Sequence, residues 1–209
     1  MKLYPPCKRT VWGEIKSLQV LIDAINKSGF PFGADESTGY PGSGLTAHKG
    51  VDIPCATGTE VYSSTAGKVV RISDNITNGI GVVIYDASQS IEVVYWHLKS
   101  HSVQLGDTVV IGQLIAISDN TGYSFGPHLH WQVNQTDAYG NSGNAIDPMP
   151  HLVWWVDSPY RRIIQKLYQS WLQDDSAGVE YWAGVVDSPE KLENFVDQKI
   201  TDIKKAVNK

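Results

Sequence analysis

Residues 31–152 run as short apolar stretches closed by turn residues, and that pattern restricts the chain to a β-rich body. Val, Ile, Tyr and Trp dominate the stretches 69–72, 82–86, 91–97, 114–117 and 129–133. Such side chains pack well on a pleated surface, whereas a helix costs them χ1 freedom. Gly, Asn, Asp and Ser separate the stretches, and Gly106-Asp107-Thr108-Val109 followed by Gly112-Gln113 frames a very short strand between two turns. The predicted architecture is mainly β, with antiparallel sheets packed face to face and loops framing a groove.

Two flanking zones follow a helical period instead. Within residues 1–30, Ile15, Leu18, Leu21, Ile22 and Ile25 predict one amphipathic helix over 14–25, with a packing role. In residues 153–209, Ser158-Pro159 and Ser188-Pro189 each supply an N-cap and a first-turn proline. Apolar residues recur behind both at helical spacing, and a third, shorter helix is expected over 179–186. The expected division is an N-terminal segment (1–30), a β-domain (31–152) and a small α-helical domain (153–209).

Charge and cysteine content narrow the function classes. The net charge is −5, and no Lys/Arg run resembles a phosphate-tracking stripe, so nucleic acid is not an expected partner. No apolar run reaches the roughly 20 residues that span a bilayer. Cys7 and Cys55 lack the spacing of a zinc knuckle or a redox motif and are expected to be free thiols. The first six residues hold no apolar signal-peptide core.

The chemistry concentrates in four of the six histidines. His48 precedes Asp52 by four positions with Gly50 between them, His97 ends the run Val93-Val94-Tyr95-Trp96-His97, and His128 and His130 sit two apart. Strand side chains alternate faces, so His128 and His130 share a face about 7 Å apart if that stretch is extended. One imidazole can then bind a metal while the other reaches a water or a substrate oxygen. Two imidazoles and a carboxylate make an open zinc site with a fourth position for water. The remaining histidines become candidates for proton transfer and oxyanion stabilisation. Spacing alone does not decide which histidines ligate.

The order of these groups, with their neighbours, resembles the lysostaphin/LytM family of peptidoglycan metalloendopeptidases. The resemblance runs through His48-Lys49-Gly50-Val51-Asp52, Tyr95-Trp96-His97-Leu98 and Asn120-Thr121-Gly122-Tyr123-Ser124-x-Gly126-Pro127-His128-Leu129-His130 to Asp147-Pro148. It implies a LytM-like β-fold holding one Zn2+ on His48, Asp52 and His130, with His97 and His128 as the catalytic pair. Tyr95, Asn120 and Tyr123 match positions beside the groove and are expected to contact substrate. The implied substrate is the peptide part of peptidoglycan, in stem-peptide cross-links or glycine-containing bridges. The implied location is extracellular or periplasmic, reached after loss of a signal peptide or by the route of a phage-type lysin. His101 and His151 match no ligand position and are expected at the surface.

Two other readings compete with the enzyme. A non-catalytic LytM-like module that binds the wall or activates other hydrolases would have degenerate ligand positions, and these are complete. A biotin- or lipoyl-carrier reading of the Gly-Asp-Thr-Val turn lacks a Lys at a hairpin tip. The loop 30–44 is expected to wall or partly occlude the groove. For the helical tail, a wall or protein partner and a stabilising cap over the β-domain are both open.

Overall fold

The computed structural model describes residues 1–37, 46–137, 140 and 142–153. They belong to a compact unit spanning Met1–Trp154, and a second unit comprises Trp155–Lys209. The expected C-terminal helices lie outside the described residues.

The chain opens with a two-residue hairpin, β1 (Arg9–Thr10) and β2 (Gly13–Glu14), followed by helix α1 (Leu18–Ser28). The predicted helix over 14–25 therefore starts late. Glu14 is strand, and Ser17 caps the helix by accepting the Val20 amide. The apolar period was legible, but the hairpin and the cap override its first turn. Leu21, Ala24 and Ile25 are buried, and α1 packs on β3 (Val51–Pro54). At the end of α1 the chain crosses β3 closely: a Cβ on Gly29 would lie 2.1 Å from the Asp52 carbonyl oxygen.

The remaining strands are β4 (Glu60–Tyr62), β5 (Gly67–Asn75), β6 (Gly79–Asp86), β7 (Ile91–His101) and β8 (Thr108–Val109). They continue with β9 (Leu114–Ser118), β10 (His128–Thr136) and β11 (Ser142–Ile146). Each predicted stretch falls inside one of them. Their arrangement differs from separate sheets packed face to face. Hydrogen bonding runs through one nine-stranded antiparallel sheet in the order β11-β10-β7-β6-β5-β8, with β3 added on β10 and β9 linking β7 to β4. Period-two patterns identify strands locally but do not name their partners.

β10 organises the sheet. β7 occupies one edge along residues 130–135, while β3 and then β11 share the other. Alternation assigns its faces. Leu129, Trp131 and Val133 enter the core with Val51 and Ile53 of β3, Val82 and Ile84 of β6, and Val93 and Tyr95 of β7. Each such aliphatic side chain contributes about 1.5–3 kcal/mol relative to exposure. The N-terminal segment joins the same core through Leu3 and Cys7, and Leu3 bridges Leu152. Cys7 and Cys55 are buried free thiols, and burial raises both above the ordinary thiol range.

Candidate metal centre

The opposite face of β10 carries His128, His130, Gln132 and Asn134, of which the last three are buried despite their polarity. Buried polar groups must be paired, and this face is. His130 and Asp52 are direct cross-strand partners in the β10–β3 register, so a one-residue slip would turn them to opposite faces. His130 Nδ1 lies 2.9 Å from Asp52 Oδ1. His48 Nε2, from the turn before β3, lies 3.2 Å from the same carboxylate oxygen and 3.1 Å from His130 Nδ1. One ligand atom from each of these three residues falls within 4.8 Å of the others. A tetrahedral ion with arms of about 2.0–2.1 Å needs ligand atoms about 3.4 Å apart. The triad therefore accommodates such an ion by opening a few tenths of an ångström.

The electrostatics suit a cation. Burial pushes the Asp52 carboxyl up, but hydrogen bonds from His130 and His48 outweigh it and hold it well below the carboxylate range. For His48, burial favours the neutral ring, yet the Asp52 hydrogen bond and charge prevail and raise its pKa. A buried carboxylate is thus kept ionised by imidazoles that a metal can displace as its counter-charge.

Two further histidines face the triad. His128 Nε2 lies 3.5 Å from Asp52 Oδ2, and the His97 and His128 rings are 4.7 Å apart. The far nitrogen of each ring is oriented by a main-chain oxygen. His97 Nδ1 lies 2.7 Å from the Thr121 carbonyl, His128 Nδ1 2.8 Å from that of Gly126, and His48 Nδ1 3.1 Å from that of Pro31. A carbonyl only accepts, so each Nδ1 carries a proton, and on His97 and His128 Nε2 is the nitrogen left facing the site, whereas His48 Nε2 donates to Asp52. Burial, reinforced by the neighbouring His128, lowers the His97 pKa to about 4.

His97 reaches the site by a departure from strand geometry. Its φ is +62°, and the β7–β9 register shifts just beyond it, between Leu98 and Ser100. Such a conformation is uncommon outside glycine. Here the Asn78 carbonyl and the Asp119 amide hold the His97 backbone. The kink lets neighbours Trp96 and His97 both line the groove. The β7–β10 register, which pairs Tyr95 with Trp131 and Trp96 with His130, corrects the expectation for Tyr95. That residue lies on the core face, fully buried, with its hydroxyl accepting the Ser64 amide at 2.7 Å, so it does not line the groove. Trp96 lines the groove in its place and stacks on His130 at 5.0 Å and 16°. Its indole lies over Gly81, where a Cβ would come within 2.3 Å of it. Trp96 stood inside the motif, but the pairing that sets it opposite His130 is not encoded in any local pattern.

The groove encloses about 230 Å³. Tyr123, 65% exposed, and Phe125, 71% exposed, form one wall with rings 5.4 Å apart and edge to face. Thr77 and Asn78, from the β5–β6 turn, contribute to the lining. Asn120 stands one step back: its Oδ1 accepts the Ser124 hydroxyl, which also contacts His128 Nδ1. His101 is exposed and His151 half-buried, and neither belongs to the site. Of the loop 30–44, Pro31 supports His48, and residues 38–44 lie outside those described.

The chain is similar to known peptidases. The model of Peptidase family M23 matches residues 46–148. Lysostaphin of Staphylococcus simulans is 36% identical over 128 residues, covering 60% of this chain and 24% of that protein. Peptidoglycan DD-endopeptidase ShyA of Vibrio cholerae is 38% identical over 105 residues, covering 50% and 24%. The chain thus spans about a quarter of the length of these curated relatives. The crystallised catalytic domain of lysostaphin from Staphylococcus simulans superposes with a TM-score of 0.52 at 30% identity, over 64% of this chain and 96% of that one. The chain belongs to peptidase family M23.

Proposed function

We propose that this chain is a zinc-dependent endopeptidase that hydrolyses peptide bonds in bacterial peptidoglycan, in stem-peptide cross-links or glycine-containing bridges. The observation that carries this reading is the complete triad of His48, Asp52 and His130 with two inward-facing imidazoles beside it. His48 Nε2, an Asp52 carboxylate oxygen and His130 Nδ1 would hold the zinc. Bound there, zinc supplies a Lewis acid for the scissile carbonyl and makes water nucleophilic near neutral pH. One of His97 and His128 takes the proton of the attacking water on its Nε2. The other steadies the developing oxyanion or delivers a proton to the leaving amine. Among the described residues lining the groove there is no Lys or Arg. Substrate is then held by contact with Tyr123 and Phe125 and by hydrogen bonding to groups such as Asn78, rather than by pairing of an anionic group with Lys or Arg.

The activity places the protein outside the cytoplasmic membrane, extracellular or periplasmic. Among the described residues no helix is long and apolar enough to cross a membrane. For residues 153–209 we propose a wall or protein partner. The decisive experiment digests walls of several cross-link types with zinc-loaded protein and identifies new amino termini by mass spectrometry. New termini at one type of bond are expected. Walls that release none, with zinc bound, would reduce the chain to a non-catalytic wall-binding or hydrolase-activating module.

A further inference from the structure

Of the four histidines in the centre, three have their outer nitrogen held by a backbone carbonyl. His130 is the exception. Its Nε2 lies 3.2 Å from Gln132 Oε1, a side-chain acceptor two residues along the same strand face. Gln132 is buried, and its own amide is held in turn: Nε2 donates to Asn134 Oδ1 at 2.7 Å. Asn134 Nδ2 donates to the Ser142 hydroxyl of β11 at 3.2 Å. Strand alternation places His130, Gln132 and Asn134 in line, so the relay runs along β10 and ends on the neighbouring strand.

We propose that Gln132 is a positioning residue for the metal centre, its Oε1 accepting the Nε2–H of His130 so that Nδ1 is the nitrogen left to ligate. The inference rests on the reading of His48, Asp52 and His130 as metal ligands. The ring has little alternative placement. Trp96 stacks on it, and Gly50 approaches so closely that a Cβ there would lie 2.8 Å from its Cε1 and Nε2. What packing does not choose is which nitrogen carries the proton. An acceptor on Nε2 makes that choice and raises the basicity of Nδ1. Asn134 keeps the Gln132 amide with its oxygen towards the imidazole. Because this acceptor is a side chain, substitution can remove it without disturbing the main chain.

The test compares wild type, Gln132→Leu and Gln132→Glu by competition for zinc against a chromophoric chelator. In the zinc-loaded proteins, the His130 Nε2–H is followed by ¹⁵N-correlated NMR. Wild type should show a slowly exchanging Nε2–H. Gln132→Leu should lose that protection and bind zinc about 10–100-fold more weakly. Gln132→Glu, which keeps an acceptor, should retain both the protection and the affinity. The rise in Tm on adding zinc should shrink for Gln132→Leu alone, a change that mere loosening of the metal-free fold would not produce. Undiminished zinc binding by Gln132→Leu, or equal weakening in Gln132→Glu, overturns the role. If Gln132→Leu does not fold, an unprotected Nε2–H in zinc-loaded wild type overturns it. Wild-type protein that takes up no zinc would remove the metal reading as well.

Discussion

Replacing Gly50 by Ala adds one methyl group at the tightest point of the metal centre. The added Cβ would lie 2.7 Å from the Trp131 carbonyl oxygen and 2.8 Å from two atoms of the His130 ring. Carbon contacts settle near 3.5 Å, so the ring must retreat by roughly 0.7 Å or β3 must move from β10. Gly50 does not adopt a positive φ, so alanine meets no backbone strain. Alanine at such a position would stabilise by about 0.4–1 kcal/mol through the unfolded chain. Overpacking costs about 1–3 kcal/mol and prevails. The net loss, up to about 2.5 kcal/mol, lowers Tm by at most about 10 °C for a chain of this size. The larger consequence is local. A ligand displaced by most of an ångström should weaken zinc binding at least about tenfold, as loss of an outer-shell partner does. A misplacement near 1 Å can cost about 100-fold in rate. Chelator competition and release of amino termini from purified walls measure these two effects. A Gly50→Ala protein with wild-type zinc affinity and wild-type turnover would refute the idea that His130 has no room to yield.

Further perturbations separate the roles. His97→Ala should retain zinc and lose about 10²–10⁴-fold in turnover, while His130→Ala loses both; zinc content after dialysis and wall turbidity distinguish them, and full activity in either overturns its role. Phe125→Ala should raise KM about 3–10-fold with a smaller change in kcat, the aromatic contact being worth about 0.5–1.5 kcal/mol; an unchanged KM on soluble wall peptides would remove Phe125 from substrate binding. Asp86→Asn tests the fold at a distance. Burial pushes the Asp86 carboxyl up, but hydrogen bonds from Ser88, Thr65 and Gln89 prevail and depress it. A depressed carboxyl stabilises above its unfolded value near 3.9 and loses that contribution as pH falls through the folded pKa. Asp86→Asn should therefore cost about 2 kcal/mol at pH 7 in urea unfolding, and the gap should narrow progressively below about pH 4; a gap that does not shrink at all as pH falls below that value contradicts the linkage.

Much of the centre was legible because its residues obey strand alternation. His128 and His130 share a face as expected, and the His48–Gly50–Asp52 spacing brings both side chains to one point. Alternation misleads at Tyr95 and His97, which it places together. The left-handed backbone turns His97 away from Tyr95 to the side where Trp96 already lies opposite His130, and no residue type near it announces a positive φ. Gln132 escaped notice because a buried amide in a strand reads as a misplaced surface residue until its partners are seen. The strands themselves were visible one by one. Their joining into one sheet through β10 depends on pairings that no local pattern encodes.

The His130–Asp52 pair joins positions 78 residues apart in the chain, and His48 lies 82 from His130. Nothing in an extended or half-made chain brings them together, and closing so long a loop without the sheet is entropically costly. The nascent polypeptide is consequently a poor chelator, and the centre comes into being only when β10 has seated between β3 and β7 in register. An ion that binds the folded centre and not the unfolded chain would stabilise the fold by mass action. Whatever chemistry the centre supports is withheld until β10 pairs with β3 and β7.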